Sequence, residues 1–442
     1  MLIVIYLIIT IGIVVFATAK YKVHPFLILI LASLTMGFLG GLDTEKIIIS
    51  LSEGFGNTLK NIGIVIACGS IIGVFLEKTG GAKSIAESTL KVVGKDNSSL
   101  AMNITGFFVS ISVFCDSGYV ILSTLNKAIN RKTGISLAVL GTSLAAGLYA
   151  THVFVPPTPG PLASASILGA DIGLVLIFGF LIAIPVSLVG WLWSIYYCSK
   201  FSINVEVDQI KIEKDKKQSS NLFSVLLPII IPIILISLNS LMDHPATNFK
   251  HVQIEKLITF FGHPIIAILS GVIISIFLAK DYSLENHYDW FSDGLKVAGS
   301  IILITGAGGA FGNILRSISL GDSISQMLMG YEIGLFLPFI IAALLKTAQG
   351  SSTVSIITTS AMVLPLLDTL GLSSEMGKVL AVLSIGAGAM TFSHLNDSYF
   401  WVVAQFSNMD SNTAIRCHTI ATLLQGITAI ILIKLLSIFF LA

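Results

Sequence analysis

Thr151-His152-Val153-Phe154-Val155-Pro156-Pro157-Thr158-Pro159-Gly160-Pro161 lies between two long apolar stretches and cannot form one regular helix. Proline lacks an N–H and restrains the residue before it, so Pro156, Pro157, Pro159 and Pro161 interrupt the helical ladder. In hydrocarbon, such a break leaves backbone groups without water. It is tolerated only inside protein or beside a water-filled cavity. Thr151, His152 and Thr158 are the polar side chains of the stretch, and imidazole exchanges protons near neutral pH.

The surrounding chain has the composition such a break requires. Of 442 residues, 54% are hydrophobic and 11% charged, with mean hydropathy +0.92. Soluble domains carry about 25% charged residues. The apolar stretches run from end to end, which describes a polytopic membrane protein. A spanning helix needs about 20 apolar residues, and 2–19, 24–42, 57–77, 134–150, 172–198, 222–241, 263–280, 296–315, 376–392 and 413–441 meet that need. Two further stretches, 98–126 and 333–366, are long enough but interrupted by polar residues.

Composition also excludes several function classes. Net charge is +1, leaving no basic face for nucleic acid. Cys68, Cys115, Cys198 and Cys417 lie far apart in or beside apolar segments, a spacing that fits neither disulfide framework nor zinc site. No phosphate-binding G-x-x-x-x-G-K-[ST] loop occurs, so ATP is not the expected energy source. Gly306 to Gly312 reads as helix packing rather than a dinucleotide fingerprint. No cofactor or metal site is called for. Lys20 and Lys22 follow the first apolar run rather than precede it, so an uncleaved first span with its N-terminus outside is expected.

Positive charge gathers on cytoplasmic loops. Lys20 and Lys22 place the first connection inside, and Lys78, Lys83, Lys91 and Lys95 place another there. With Lys127, Arg131 and Lys132 at its far end, segment 98–126 should enter and leave on one side. It reads as a re-entrant hairpin with its tip near Cys115-Asp116-Ser117-Gly118. Residues 200–221 are the most polar stretch and read as a cytoplasmic linker between membrane repeats 1–199 and 222–442.

The halves resemble each other. Ser52-Glu53-Gly54 recurs as Ser292-Asp293-Gly294, and Gly69, Gly73 and Leu76 recur as Gly308, Gly312 and Leu315. Gly147 and His152 pair with Gly388 and His394. Five crossings and a hairpin return the chain to the opposite side, so the second repeat should be inverted. Residues 316–378, holding only Arg316, Lys346 and Lys378 as basic groups, agree. The expected fold is all-α, with two inverted repeats of about five spans plus broken helices, an architecture of secondary transporters.

The substrate site is then expected where the breaks meet. Asp116 lies deep in an apolar segment, where a carboxylate costs about 2.5–3.5 kcal/mol to insert. It suits proton or cation binding, or a structural role at a hairpin tip. Gln349-Gly350-Ser351-Ser352-Thr353 breaks the second long segment, offering backbone amides and hydroxyls to a carboxylate. His394-Leu395-Asn396-Asp397-Ser398 forms another break, with Asn396 and Ser398 toward substrate and Asp397 as a second titrating group or a helix cap. Ser117, Gly118, Thr151, His152 and Thr158 complete the candidate substrate contacts. Asp116, Asp397, His152 and His394 are the candidate coupling groups.

These motifs resemble the gluconate permease family. The resemblance rests on His152 with Pro156 to Pro161, on Ala348 to Thr353, and on Ser393 to Trp401. Phe55-Gly56-Asn57-Thr58-Leu59 and Glu77 to Ala82 extend it over most of the chain. The resemblance implies a bacterial inner-membrane symporter that imports sugar acids or related hydroxy-carboxylates with protons, moving hairpins in an elevator-like manner, often as a homodimer. Thr158 stands where that family pattern has His, and Asp116 where Glu is common. The carried acid therefore stays open among gluconate, D-serine, glycerate and hexuronates. Sodium coupling is the rival within transport. An intramembrane enzyme or a passive channel are the rivals outside it.

Overall fold

A computed structural model describes residues 2–21, 23–94, 97–205, 222–242, 252–279, 282–318, 334–395 and 397–441. These residues form helices and turns without a strand. The first half runs α1 Leu2–Lys20, α2 Pro25–Leu39, α3 Thr44–Lys78, α4 Gly81–Val93, α5 Ser98–Val109, α6 Cys115–Thr133, α7 Leu137–Phe154, α8 Pro159–Leu168 and α9 Ile172–Tyr196. The second runs α10 Leu222–Met242, α11 Val252–Gly262, α12 Pro264–Leu278, α13 Leu284–Ser317, α14 Phe336–Gln349, α15 Ser352–Val363, α16 Glu375–Met390, α17 Ser398–Phe406 and α18 Ser411–Phe440.

The same local signals start matching helices in both halves. His24 and His263 each cap a short helix whose first residue is proline, the position where a missing N–H costs nothing. Asp43 and Ser283 cap the two longest helices, α3 and α13, by accepting from Lys46 N and Asn286 N. Ser136 and Ser374 cap α7 and α16, while Asp171 and Asp410 cap α9 and α18. In each half a broken pair, α5–α6 or α14–α15, precedes a buried helix, then a short helix, then a long final one.

Among the described residues the two long helices make the most extensive helix contact, and they run antiparallel. Ser50 O accepts from Asn313 Nδ2 (2.8 Å) and Ser50 Oγ meets Ser317 Oγ (3.0 Å), while Gly294 lies against Ile71. A Cβ on Gly54 would stand 2.6 Å from Gly309 O and 2.9 Å from Ala310 Cα. Small residues are therefore what lets the two backbones meet. The repeated glycines have repeated neighbours. Gly147 of α7 abuts Asn103 O of α5, and Gly388 of α16 abuts Phe339 O of α14.

Helices α7 and α16 form the interior. Every residue of α7 is buried, as is nearly all of α16. Outside them, Leu181, Ile184, Leu188 and Leu192 on α9 and Ile427, Ile431, Leu435 and Ile438 on α18 are exposed at helical spacing. Such stripes suit hydrocarbon rather than water. All four cysteines are buried and free.

Several sequence expectations change. Five described helices are long and apolar enough to span a membrane, or six counting Lys256–Gly262 with Pro264–Leu278, a pair bent by 67°. The stretches 24–42 and 263–280 become the 15-residue helices Pro25–Leu39 and Pro264–Leu278, starting at His-Pro and ending at the caps Gly40 and Ala279. The 57–77 and 296–315 stretches are parts of α3 and α13, which begin at the caps Asp43 and Ser283. Helix α7 reaches Phe154, so Thr151 and His152 stand in its last turn rather than in the break, which is Val155–Thr158. Of the 200–221 linker, residues 206–221 lie outside the described residues. Phe201–Val205 dock on the α6–α7 junction, where Ser136 Oγ donates to Phe201 O and Asn130 Nδ2 to Asn204 Oδ1 (2.9 Å).

Gly54→Val should lower the melting temperature of detergent-purified protein markedly, because overpacking against backbone costs about 1–3 kcal/mol or more. Gly56→Ala, with open space at its Cβ position, should not. Equal melting of the two variants would refute the close crossing.

Candidate membrane transport site

The first break opens onto a cavity. It is a narrow cleft, with Gly69 and Ser70 of α3, Ser112 and Phe114 of the α5–α6 break, His152 of α7 and Thr158 among its lining. Two helices begin here, and neither has a side-chain cap. Helix α6 starts after Phe114, and α8 after Thr158. Thr158 makes no cap bond, its Oγ1 instead donating back to Val155 O (2.6 Å). The first turn of α6 keeps the N–H groups of Cys115, Asp116 and Ser117 outside the helical ladder, whereas α8, beginning Pro159-Gly160-Pro161, keeps that of Gly160 alone. His152 is 5% exposed, and its Nδ1 has no hydrogen-bond partner. Its ring lies between Phe114 and Tyr149, stacked on the latter. Asp116, in the first turn of α6, is half-buried, and its Oδ1, itself buried, also lacks a partner.

The second set of breaks is closed. Ser351 caps α15, accepting from Val354 N (3.4 Å), and Asp397 caps α17, accepting from Tyr399 N (3.1 Å). Between them lies an ion pair. Lys346 Nζ, on the last turn of α14, donates to Asp397 Oδ2 (2.5 Å) and to Gly350 O (3.3 Å). Both side chains are almost inaccessible, at 1% and 3%. Gly350 ends α14 with φ +76°, a left-handed conformation that favours glycine. Ser393 Oγ donates to the same Asp397 oxygen (2.5 Å) and meets His418 Nε2 at 3.0 Å. Because the Ser393 proton is engaged, His418 Nε2 must be the donor. His418 sits on a π-helical turn, Ile415–Thr419, inside α18, a distortion common at functional sites.

A family model described as GntP family permease matches residues 1–439. The chain belongs to this family. A gluconate permease of Pseudomonas aeruginosa is 32% identical, the match covering 97% of this chain and 96% of that one. The Gnt-II system L-idonate transporter of Escherichia coli is 29% identical over 93% of each chain, and the D-serine transporter of the same species 30% over 96% of each. Among solved structures, the Alcanivorax borkumensis YdaH transporter matches 95% of this chain and 99% of its own, with TM-score 0.65 and 15% identity, a likeness of fold. The chain is thus a secondary transporter of the membrane, in a family of permeases.

Within this GntP permease, the candidates read from sequence divide. His152 and Thr158 line the cavity. Ser117 is half-buried beside Asp116. Gly118 packs against Leu148, and its N–H donates to Phe114 O (2.8 Å), which removes it as an anion donor. Thr151 is fully buried and turned toward Gly147 O and Leu148 O of its own helix. At the second hairpin, Gly350 N–H is taken by Lys346 O (2.8 Å). Both amide atoms of Gln349 are buried without partners. Ser352 is buried, Thr353 half-buried and Ser398 exposed. Asn396 lies outside the described residues.

His394 does not mirror His152. It bonds to Thr347 O (3.1 Å) at an exposed position, because α16 ends at Met390 and leaves it in the loop. Lys346 is not a loop charge either. It is buried in the hairpin, its ammonium neutralised by a residue 51 positions away. The sequence carried one signal for it, a lone lysine inside an otherwise apolar arm four residues before a glycine break.

Asp397→Asn should destabilise the protein by about 3–5 kcal/mol, since it leaves a buried ammonium without its counter-charge. Lys346→Met added to Asp397→Asn should recover much of that loss. Thermal unfolding of the single and double variants measures the coupling, and additive effects would refute the pair.

Proposed function

We propose that the chain imports a small hydroxy-carboxylate, with gluconate the first candidate, together with a proton. The observation that carries this reading is the pair of uncapped helix starts, α6 and α8, converging on the His152 cavity. A carboxylate there would accept from the first-turn N–H groups of α6 and from Gly160 N–H of α8, whose Pro159 and Pro161 have none to give. Ser70, Ser112, Thr158 and His152 Nδ1 would meet the substrate hydroxyls. The names of the relatives support an organic acid of this size, and the D-serine transporter among them extends the range to a hydroxy amino acid.

Coupling follows from charge. Asp397 is committed to Lys346, so Asp116 remains as the buried carboxylate with an unpartnered oxygen. It stands two residues beyond the cavity-lining Phe114. An arriving carboxylate and an ionised Asp116 would repel each other in a low dielectric. A proton on Asp116 removes that repulsion, so anion and proton bind in mutual support. The antiparallel crossing of the counterpart helices α3 and α13 supports inverted repeats, as alternating access requires. The basic loops of the first repeat support an N-terminus outside the bacterial inner membrane.

Uptake of radiolabelled gluconate into proteoliposomes tests this directly. An inward proton gradient should drive accumulation that an uncoupler abolishes, and L-idonate or D-serine should compete according to affinity. His152→Ala should reduce uptake at least tenfold. Asp116→Asn should still exchange substrate but no longer concentrate it under a proton gradient. Uphill accumulation by Asp116→Asn would overturn the coupling assignment. Failure of every acid to bind or move in folded protein would overturn the site.

A further inference from the structure

Lys346 stands where a metal ion would be expected. Its ammonium nitrogen is held by a carboxylate oxygen of Asp397 (2.5 Å) and by the carbonyl oxygen of Gly350 (3.3 Å) at the hairpin break. It faces the ring of Tyr149, 5.6 Å from the centroid, and the Tyr149 hydroxyl donates to Ala389 O (3.3 Å) and keeps its lone pairs free. Ser393 Oγ bonds to the same Asp397 oxygen. A carboxylate and a carbonyl oxygen thus meet one positive charge at the C-terminal end of a half-helix, with Ser393 one bond farther out. Alkali cations in transporters are bound by this donor set, through unwound carbonyls and the negative ends of broken helices. The ligands come from three elements, α14, α7 and the break before α17, so whatever cation sits there locks the second hairpin to the core.

We infer that the Lys346 ammonium is a tethered substitute for a sodium ion, and that removing it exposes a latent sodium site made of Asp397, Gly350 O, Ser393 and Tyr149. The tether makes the charge permanent, so the second hairpin is locked at every sodium concentration and sodium contributes nothing to the gradient that drives uptake. This deepens the transport reading above and rests on it only where uptake is measured.

The test is thermal unfolding of the detergent-purified full chain in sodium chloride against choline chloride and potassium chloride. Wild type should melt at one temperature in all three. Lys346→Ala and Lys346→Ser should melt lower in choline and be raised by several degrees in sodium, with half-maximal effect in the millimolar range. Asp397→Asn added to Lys346→Ala should abolish the sodium effect. Sodium that stabilises wild type as much as the variants, or that leaves both variants unchanged, overturns the inference. So does failure to isolate either variant even from sodium-containing buffer, because the ligands then accept no ion. In proteoliposomes, wild-type uptake should be indifferent to sodium while Lys346→Ala uptake becomes sodium-dependent. Absence of uptake in wild type would count against the substrate proposal alone, since the melting measurements need no substrate.

Discussion

A charge or backbone group buried in a membrane must find its partner inside the protein, and the Lys346–Asp397 pair is where this structure meets that constraint most severely. Isolated, either ion would cost several kcal/mol at that depth. Together they join the end of α14 to the start of α17, with Gly350 O, Ser393 and His418 completing the hydrogen bonds. The second hairpin is therefore tied to the core by charge, while the first is held by packing around Gly73, Gly106 and Gly118. One internal cation sets the difference between the two halves.

That difference matters because the halves otherwise follow one plan. His-Pro helix starts, capped long helices and glycines at backbone crossings recur in the same order. At the breaks the plan diverges. In the second half, Ser351 and Asp397 occupy the helix N-termini. In the first half these ends are left to the cavity. The carboxylate nearest these ends, Asp116 in the first turn of α6, makes no cap bond.

Much of the fold was legible in the sequence because hydrocarbon imposes simple rules. Long apolar runs must be helices, and Pro156 to Pro161 and Gln349 to Thr353 must be breaks. Gly147 and Gly388, paired by spacing, each stand at a close approach to another helix's backbone, where a Cβ would clash. Helix limits were less legible. The polar first turns of α3 and α13 look like loops until Asp43 and Ser283 are seen capping them.

Sequence alone determined an all-helical membrane protein with polar breaks, since each of those follows from local chemistry and spacing. The tertiary structure decided which polar groups meet. Lys346 and Asp397 are 51 residues apart and His418 lies farther along still, and no periodicity connects them. His394, aligned with His152 by spacing, falls outside because a helix ends four residues before it. Pairing at a distance is set by how helices pack, and packing depends on all the contacting surfaces at once, so only the assembled fold could name the partners.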